Sequence, residues 1–216
     1  MESRGVKDWA ADHPKAKLMT RKRAAIVKAA EEAFLRVGYS GASMEMIAQA
    51  AGVSIMTLYR HAESKDDLFA AVIEGACHPD EQAQQDRLDG VLQIPLVDIL
   101  TFVGVMFQER LNGPTTTSLL RVVMTEVRRF PHLGDLAYEG LIGSHLTALN
   151  GFLSDRPELG QLDPEQRRAL GGQFFNRLIG LDGYRVLLGL QSASEQEMRE
   201  RARLAAEETI TAAASS

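Results

Sequence analysis

Gly38 and Gly52 cut the apolar periodicity at the N-terminal end of the chain into lengths that only short helices can use. Ahead of them, Ile26, Ala29, Ala30, Ala33, Phe34 and Val37 recur at the spacing of one helix face. This predicts an amphipathic helix over 22–37 that Gly38 ends. Ser43 then stands as N-cap of a short helix whose Met44, Ile47, Ala48 and Ala51 share a face, with Glu45 near its positive end. Gly52 stops that helix. Ser54 caps a third, running through Thr57, Leu58 and Tyr59 to about His61. Ser64 caps a fourth, with Asp67 three residues on as a shortened capping box and Leu68, Phe69, Val72 and Ile73 as its apolar face. Two short helices joined by a glycine-containing turn over 43–61, behind a longer helix, form a helix-turn-helix.

Past Pro79 the helices lengthen. Segments 94–111, 115–129 and 133–153 are bounded by Pro or Gly, and Asp163-Pro164-Glu165-Gln166 is a strong start for a helix reaching about residue 190. That helix carries Leu170, Phe174, Phe175, Leu178, Ile179, Leu181, Leu187 and Leu188 around much of its circumference, so it cannot leave one whole side in water. Ser194-Glu195-Gln196-Glu197 opens a last, mostly polar helix. No segment shows sustained β alternation. The expected fold class is all-α, with a flexible basic arm at 1–19, a three-helix helix-turn-helix domain at 20–64 and a helical domain at 65–216.

Composition excludes several function classes. A single cysteine among 216 residues rules out an intrachain disulfide, and no Cys/His grouping has zinc-ligand spacing. The first twenty residues lack an apolar signal region, and the most apolar stretch, 94–107, is too short to cross a membrane. A soluble protein of the reducing cytoplasm is expected, with no membrane partner. There is no HExxH, no glycine-rich phosphate loop and no GxSxG, so no catalytic residue, metal or cofactor is expected and the chain does not read as an enzyme.

The net charge of −5 argues against a nucleic-acid partner only if it is spread evenly. It is not. Residues 1–76 hold 11 basic and 10 acidic side chains, and 77–216 hold 13 and 19. Lys15, Lys17, Arg21, Lys22, Arg23 and Lys28 place six positive charges in fourteen residues without an acid. This run is either a solvated arm or an extension that follows a nucleic-acid backbone.

The stretch from Gly52 to Leu68, GVSIMTLYRHAESKDDL, resembles the DNA-binding signature of the TetR family of one-component transcriptional regulators. Ala30, Phe34, Gly38, Tyr39, Ile47 and Ala48 fall in the same register, and the likeness covers about 22–75. Two positions depart from the pattern: Ala62 where the family commonly has an aromatic, and Met56 where it has a small residue or proline. More loosely, 128–131, 173–190 and 194–210 are similar in order to the AefR-like branch.

The resemblance implies that Ser54, Ile55, Met56 and Thr57 lie nearest base edges, with Arg60 near the helix end. Tyr59, His61 and Lys65 match phosphate-contacting positions, and Ser43 adds a hydroxyl and a helix N-terminus. Lys22 and Arg23 of the basic run join this DNA-binding set. The partners implied are double-stranded operator DNA, a second copy of the chain and an unidentified small-molecule effector. Candidate effector-pocket residues are Phe102, Met106, Phe107, Leu120, Met124, Phe174, Phe175 and Arg177. One helix-turn-helix reads too little DNA to be selective, so a homodimer is expected on a near-palindromic site. Leu141, His145, Leu149, Phe152, Leu178, Leu181, Tyr184, Arg185 and Leu188 are candidates for its interface, although burial within one chain would also satisfy the apolar helix. The resulting expectation is a homodimeric repressor released from its operator by an effector. Two other readings stay open: a helical small-molecule-binding protein, and a structural DNA-binding protein without effector control.

Overall fold

The computed structural model describes residues 14–77, 94–156, 159, 161–190 and 193–214, and of their side chains all but those of 14–17 and 77. These residues contain no strand, and the all-α class expected from the sequence is what is found. The chain forms two compact units, the first ending at Val72 and the second beginning at Ile73.

The first unit is built from α1 (Pro14–Gly41), α2 (Met44–Ala50), α3 (Ile55–Tyr59) and the beginning of α4 (Lys65–Cys77). Helix α1 starts at Pro14, so residues 14–19 are helical and not part of a flexible arm; residues 1–13 of that expected arm lie outside the described residues. Proline suits a first helical turn because its missing N–H has no partner there anyway. Helical geometry breaks at Gly38, whose φ of 73° is a left-handed value that side chains disfavour. The core beneath the short helices is aromatic. Phe34 and Phe69 meet edge to face at 5.1 Å, Tyr39 meets Phe69 at 5.5 Å, and Ile47 and Leu58 are fully buried beside Ile26. Leu68, Phe69 and Val72 of α4 belong to this core. The boundary between the two compact units thus falls inside α4, after Val72.

The second unit contains α5 (Leu96–Leu111), α6 (Pro114–Glu126), α7 (His132–Tyr138), a π-helical turn (Glu139–Gly143), α8 (Ser144–Ser154), α9 (Pro164–Leu187) and α10 (Glu195–Ala214). The single helix expected over 133–153 is thus interrupted by the π turn, where the Ser144 hydroxyl donates to the Gly140 carbonyl at 3.0 Å. Asp163 and Gln166 form the expected capping box at the start of α9. Helices α5 and α10 lie close because their contact is made of small residues: a Cβ added at Gly104 would stand 2.9 Å from that of Ala202. Leu100, Phe107, Leu170, Phe174, Phe175 and Leu178 fill the rest of this core. Among the described residues no helix is long and apolar enough to cross a membrane, and no three His, Cys, Asp or Glu side chains are placed to hold a metal ion.

Helix α9 is not straight. Gly180 takes φ 46° and ψ −152°, a conformation essentially reserved for glycine. Gly180→Ala is expected to destabilise the protein by about 1–3 kcal/mol. Gly172→Ala, on a helical stretch of α9 with open space at the new Cβ, should stabilise it by up to about 1 kcal/mol. Urea unfolding of the two variants beside the parent protein checks the contrast, and equal effects would show that Gly180 carries no conformational demand.

Candidate functional site

Helices α2 and α3 are set by their caps and by one buried side chain each turn. The Ser43 hydroxyl accepts from the Met46 N–H at 3.2 Å, and Ser54 accepts from the Thr57 N–H at 3.2 Å. The Ser54 and Thr57 hydroxyls share a hydrogen bond at 2.9 Å. Leu58 anchors α3 in the core, which turns the opposite face outward: Ser54, Arg60, Tyr59 and Met56 are exposed, the last at 67%. Ile55, Thr57 and His61 are half-buried at the edge of that face. No Asn or Gln stands on α3, so its polar reach consists of two hydroxyls, a phenol and one guanidinium.

Positive charge gathers at one end of this face. His61 follows the C-cap of α3, and its imidazole is held below the usual histidine pKa first by burial and then by the nearby Arg23 and Lys22. The sequence places these cations 38 or more positions away from His61, and α1 brings them back to it.

Lys65 is tied down. Its half-buried ammonium donates to the carbonyls of Tyr39 at 2.8 Å and Ala42 at 3.0 Å, and sits 4.3 Å from the centre of the Tyr39 ring. The Tyr39 hydroxyl donates to Asp66, and burial together with that carboxylate raises the phenol's pKa well above its usual value. This cluster fastens the first turn of α4 to the corner between α1 and α2. At the same turn, Asp67 accepts from the Glu63 and Ser64 N–H groups at 3.0 Å each while the Ser64 hydroxyl accepts from Asp67 N–H at 3.1 Å, the capping box expected there.

The second unit holds an apolar cavity of about 380 Å³, lined from the end of α5, from α6, from α7 and the π turn, and from the last two turns of α9. Leu120, Val123, Leu141, Ile179 and Leu187 supply its walls, and Asn112, Thr117, Tyr138 and Tyr184 its polar groups.

The family model of bacterial regulatory proteins of the tetR family matches residues 26–72, and that of the AefR-like transcriptional repressor C-terminal domain matches 98–213, more than half of the chain. The chain belongs to the TetR family. Solved structures agree on the fold over nearly the whole length. A TetR-family regulator from Mesorhizobium loti is 23% identical, with a TM-score of 0.69 over 90% of this chain and 97% of its own. The flavonoid-responsive regulator FrrA is 28% identical, with a TM-score of 0.68 over 89% and 97%. A TetR-family regulator from Rhodococcus sp. is 18% identical, with a TM-score of 0.63 over 88% and 99%. The protein is a transcriptional regulator with a DNA-binding helix-turn-helix, from a family of regulators and not of enzymes.

Ser43, Ser54, Met56, Thr57, Tyr59, Arg60 and His61 lie on or beside α2 and α3 as expected, with Lys22 and Arg23 alongside. The side chains of Lys15 and Lys17 lie outside the described residues. Of the eight residues expected at an effector pocket, Leu120 lines this cavity. Phe107, Phe174 and Phe175 are core, with Phe107 and Phe175 at 4.6 Å and Phe174 and Phe175 at 5.4 Å. Phe102 and Met124 face outward, and Met106 is half-buried away from the cavity. Arg177 is paired with Glu208.

The expected dimer set divides. Leu141, Leu149 and Leu178 are buried inside their own chain and have no area left for another copy. Phe152 packs on the same core, and the His145 ring lies 5.3 Å from that of Phe107. Leu181, Tyr184, Arg185 and Leu188 are exposed. Sequence reasoning missed Asn112, Tyr138 and the glycines of the cavity, because the cavity forms between helix ends that are distant along the chain. Only the Asn112-Gly113-Pro114 break between two helices could have marked one of its edges.

The lowered pKa of His61 fixes a sign. The unfolded chain takes the proton first, so this contribution to stability is full above about pH 6.5 and is lost as pH falls through the folded-state value below it. Thermal unfolding midpoints of the parent and of His61→Asn, compared from neutral to mildly acidic buffer, should diverge, with the parent falling faster. Parallel curves would show that His61 ionises as freely in the folded protein as in the unfolded one.

Proposed function

We propose that the protein is a homodimeric repressor that binds a near-palindromic operator through α3 and is released by a small-molecule effector held in the cavity of the second unit. The observation that carries the DNA-binding half is the outward face of α3, fixed by buried Leu58 and by the Ser54 cap. In the major groove, Ser54 and Thr57 supply hydroxyls to base edges, while Ile55 and Met56 supply apolar contact to thymine methyls. Tyr59, Arg60, His61, Lys22 and Arg23 flank that row as phosphate contacts. Ser43 adds its hydroxyl at the start of α2, and Lys65 adds the N–H left after its two carbonyl bonds. With no bidentate amide on α3, selectivity leans on apolar contact and DNA shape.

The dimer reading rests on α9 beyond Gly180. Leu181, Tyr184 and Leu188 are 82%, 68% and 78% exposed and recur at helical spacing, which makes an apolar strip that a second copy would cover. A self-complementary pairing there sets two α3 helices on one DNA duplex, about 34 Å apart for half-sites one turn distant. The effector reading rests on the cavity, and the flavonoid response of the FrrA regulator makes flavonoids the first effectors to try.

Gel retardation with the DNA upstream of the protein's own coding sequence tests the reading. Specific retardation at moderate salt supports it, and retardation no stronger than with random DNA sinks it. Lys22→Ala and Arg23→Ala should each lower the slope of log affinity against log salt by about one. Thr57→Ala should instead weaken specific binding with little change in that slope. Leu181→Glu with Leu188→Glu should convert the protein from dimer to monomer in sedimentation and abolish specific retardation. A dimer that survives both charges would place the interface elsewhere.

A further inference from the structure

We propose that the cavity takes a flat, uncharged, hydroxyl-bearing apolar ligand and turns away both carboxylates and ammonium ions. This deepens the effector reading above and rests on it. Among the fifteen residues that line the cavity there is no Asp, Glu, Lys, Arg or His. A charged ligand entering it would shed part of its water against apolar walls and find no opposite charge among the lining residues, which costs affinity. The adjacent cation, Arg121, is exposed and is not one of the lining residues; its guanidinium donates to the carbonyls of Val186 at 2.8 Å and Leu187 at 3.0 Å.

The polar groups decide the rest. The Thr117 hydroxyl already donates to the Gly113 carbonyl at 3.0 Å and the Pro114 carbonyl at 3.1 Å, so its proton is spent. Asn112 is held by its backbone, whose N–H caps α5 at the Gln108 carbonyl, and its side-chain nitrogen points to the Met198 sulfur at 3.9 Å. That leaves the Asn112 side-chain oxygen as an acceptor and the Tyr138 and Tyr184 hydroxyls, which both donate and accept, and a neutral hydroxyl on the ligand, itself donor and acceptor, can serve all three. Gly134, Ala137 and Gly183 offer almost no side chain along the wall, which suits a flat ring lying against the helices. The volume is within the range of small-molecule sites, roughly 300–1,000 Å³.

One skeleton with four end groups tests this on the full chain: 4-phenylphenol, biphenyl, biphenyl-4-carboxylate and biphenyl-4-ylmethylammonium, ranked by calorimetric titration and by thermal shift. The phenol should bind best, biphenyl next, and both ions at least about tenfold more weakly than the phenol. Asn112→Leu should reduce the preference of phenol over biphenyl while keeping biphenyl binding, and Leu120→Trp, which fills the cavity, should weaken all four. Circular dichroism of each variant confirms folding, and the ranking on the parent protein stands without them. An ion that binds as well as the phenol, no binding by any member, or a phenol preference undiminished by Asn112→Leu overturns the proposal. Retardation of the upstream DNA, run on the same preparation, separates the two readings. DNA binding without phenol binding sinks the cavity chemistry alone, and phenol binding without DNA binding sinks the repressor alone.

Discussion

The Lys65 ammonium, bonded to the carbonyls of Tyr39 and Ala42, ties the start of α4 to the corner that leads into α2, and the DNA-facing helix hangs from that corner. Helices of seven and five residues have no stability of their own in water, where even good sequences need about 12–15 residues to persist. What keeps α2 and α3 in place is therefore external to them. Ile47 and Leu58 plug them into the aromatic core, Ser43 and Ser54 satisfy their first N–H groups, and Lys65 with the Tyr39 to Asp66 bond fixes the chain on either side. The short helices can then expose nearly all of their remaining surface, and an exposed, rigidly held face is what groove recognition requires.

A second polar connection plays the corresponding part beneath the cavity. Gln108 is buried, and its amide nitrogen donates to the carbonyls of Gly104 at 3.1 Å and Met198 at 2.8 Å while its oxygen accepts from Arg201 at 3.1 Å. Arg201 in turn pairs with Asp182. Three helices, α5, α9 and α10, are thereby joined by groups that satisfy one another, with Gln108 buried and the Arg201–Asp182 pair at the edge of the core. Asp182 lies just past Gly180, so the departure from helical geometry at that glycine and the ion pair act on the same turn. Beyond it, the segment carrying Gly183, Tyr184, Val186 and Leu187 lines the cavity, and Arg121 holds its end. The outer side of the same segment carries Leu181 and Leu188. Cavity wall and apolar strip are two faces of one short, tethered stretch.

The legible parts of the chain were the local ones. Ser43, Ser54, Ser64 and Asp163 act through bonds to N–H groups three residues away, and each cap fell where its residue type and the following apolar period put it. The helix-turn-helix followed, because Gly52 and the caps leave few alternatives for 43–61. The cavity and the interface candidates were not legible for a different reason. Leu178 and Leu181 stand three apart on what reads as one helical face, yet one is buried and the other is exposed to 82%. Gly180 lies between them with positive φ, and a break in helical geometry changes which way the following residues point. A periodicity argument carries a face across such a break and assigns both leucines together. The cavity lies apart from the large apolar side chains for another reason: Phe174 and Phe175 pack against each other, and the open volume lies beside Gly134, Ala137 and Gly183, which have little side chain to fill it.

Charge is the last property that the folded arrangement reinterprets. The sum of −5 and even the near balance of residues 1–76 say little about local charge, since the fold gathers Lys22 and Arg23 beside His61 at one edge of α3. Lys22 and Arg23 stand close enough to His61 to oppose its protonation. In the repressor reading, a phosphate at that edge neutralises the two cations and favours a third positive charge, so the imidazole that is kept neutral in the free protein gains a proton on engagement. Binding then strengthens as pH falls through the histidine range, while the free protein's stability weakens over the same interval. The two effects have opposite signs because they arise from the same three side chains with and without an anion between them.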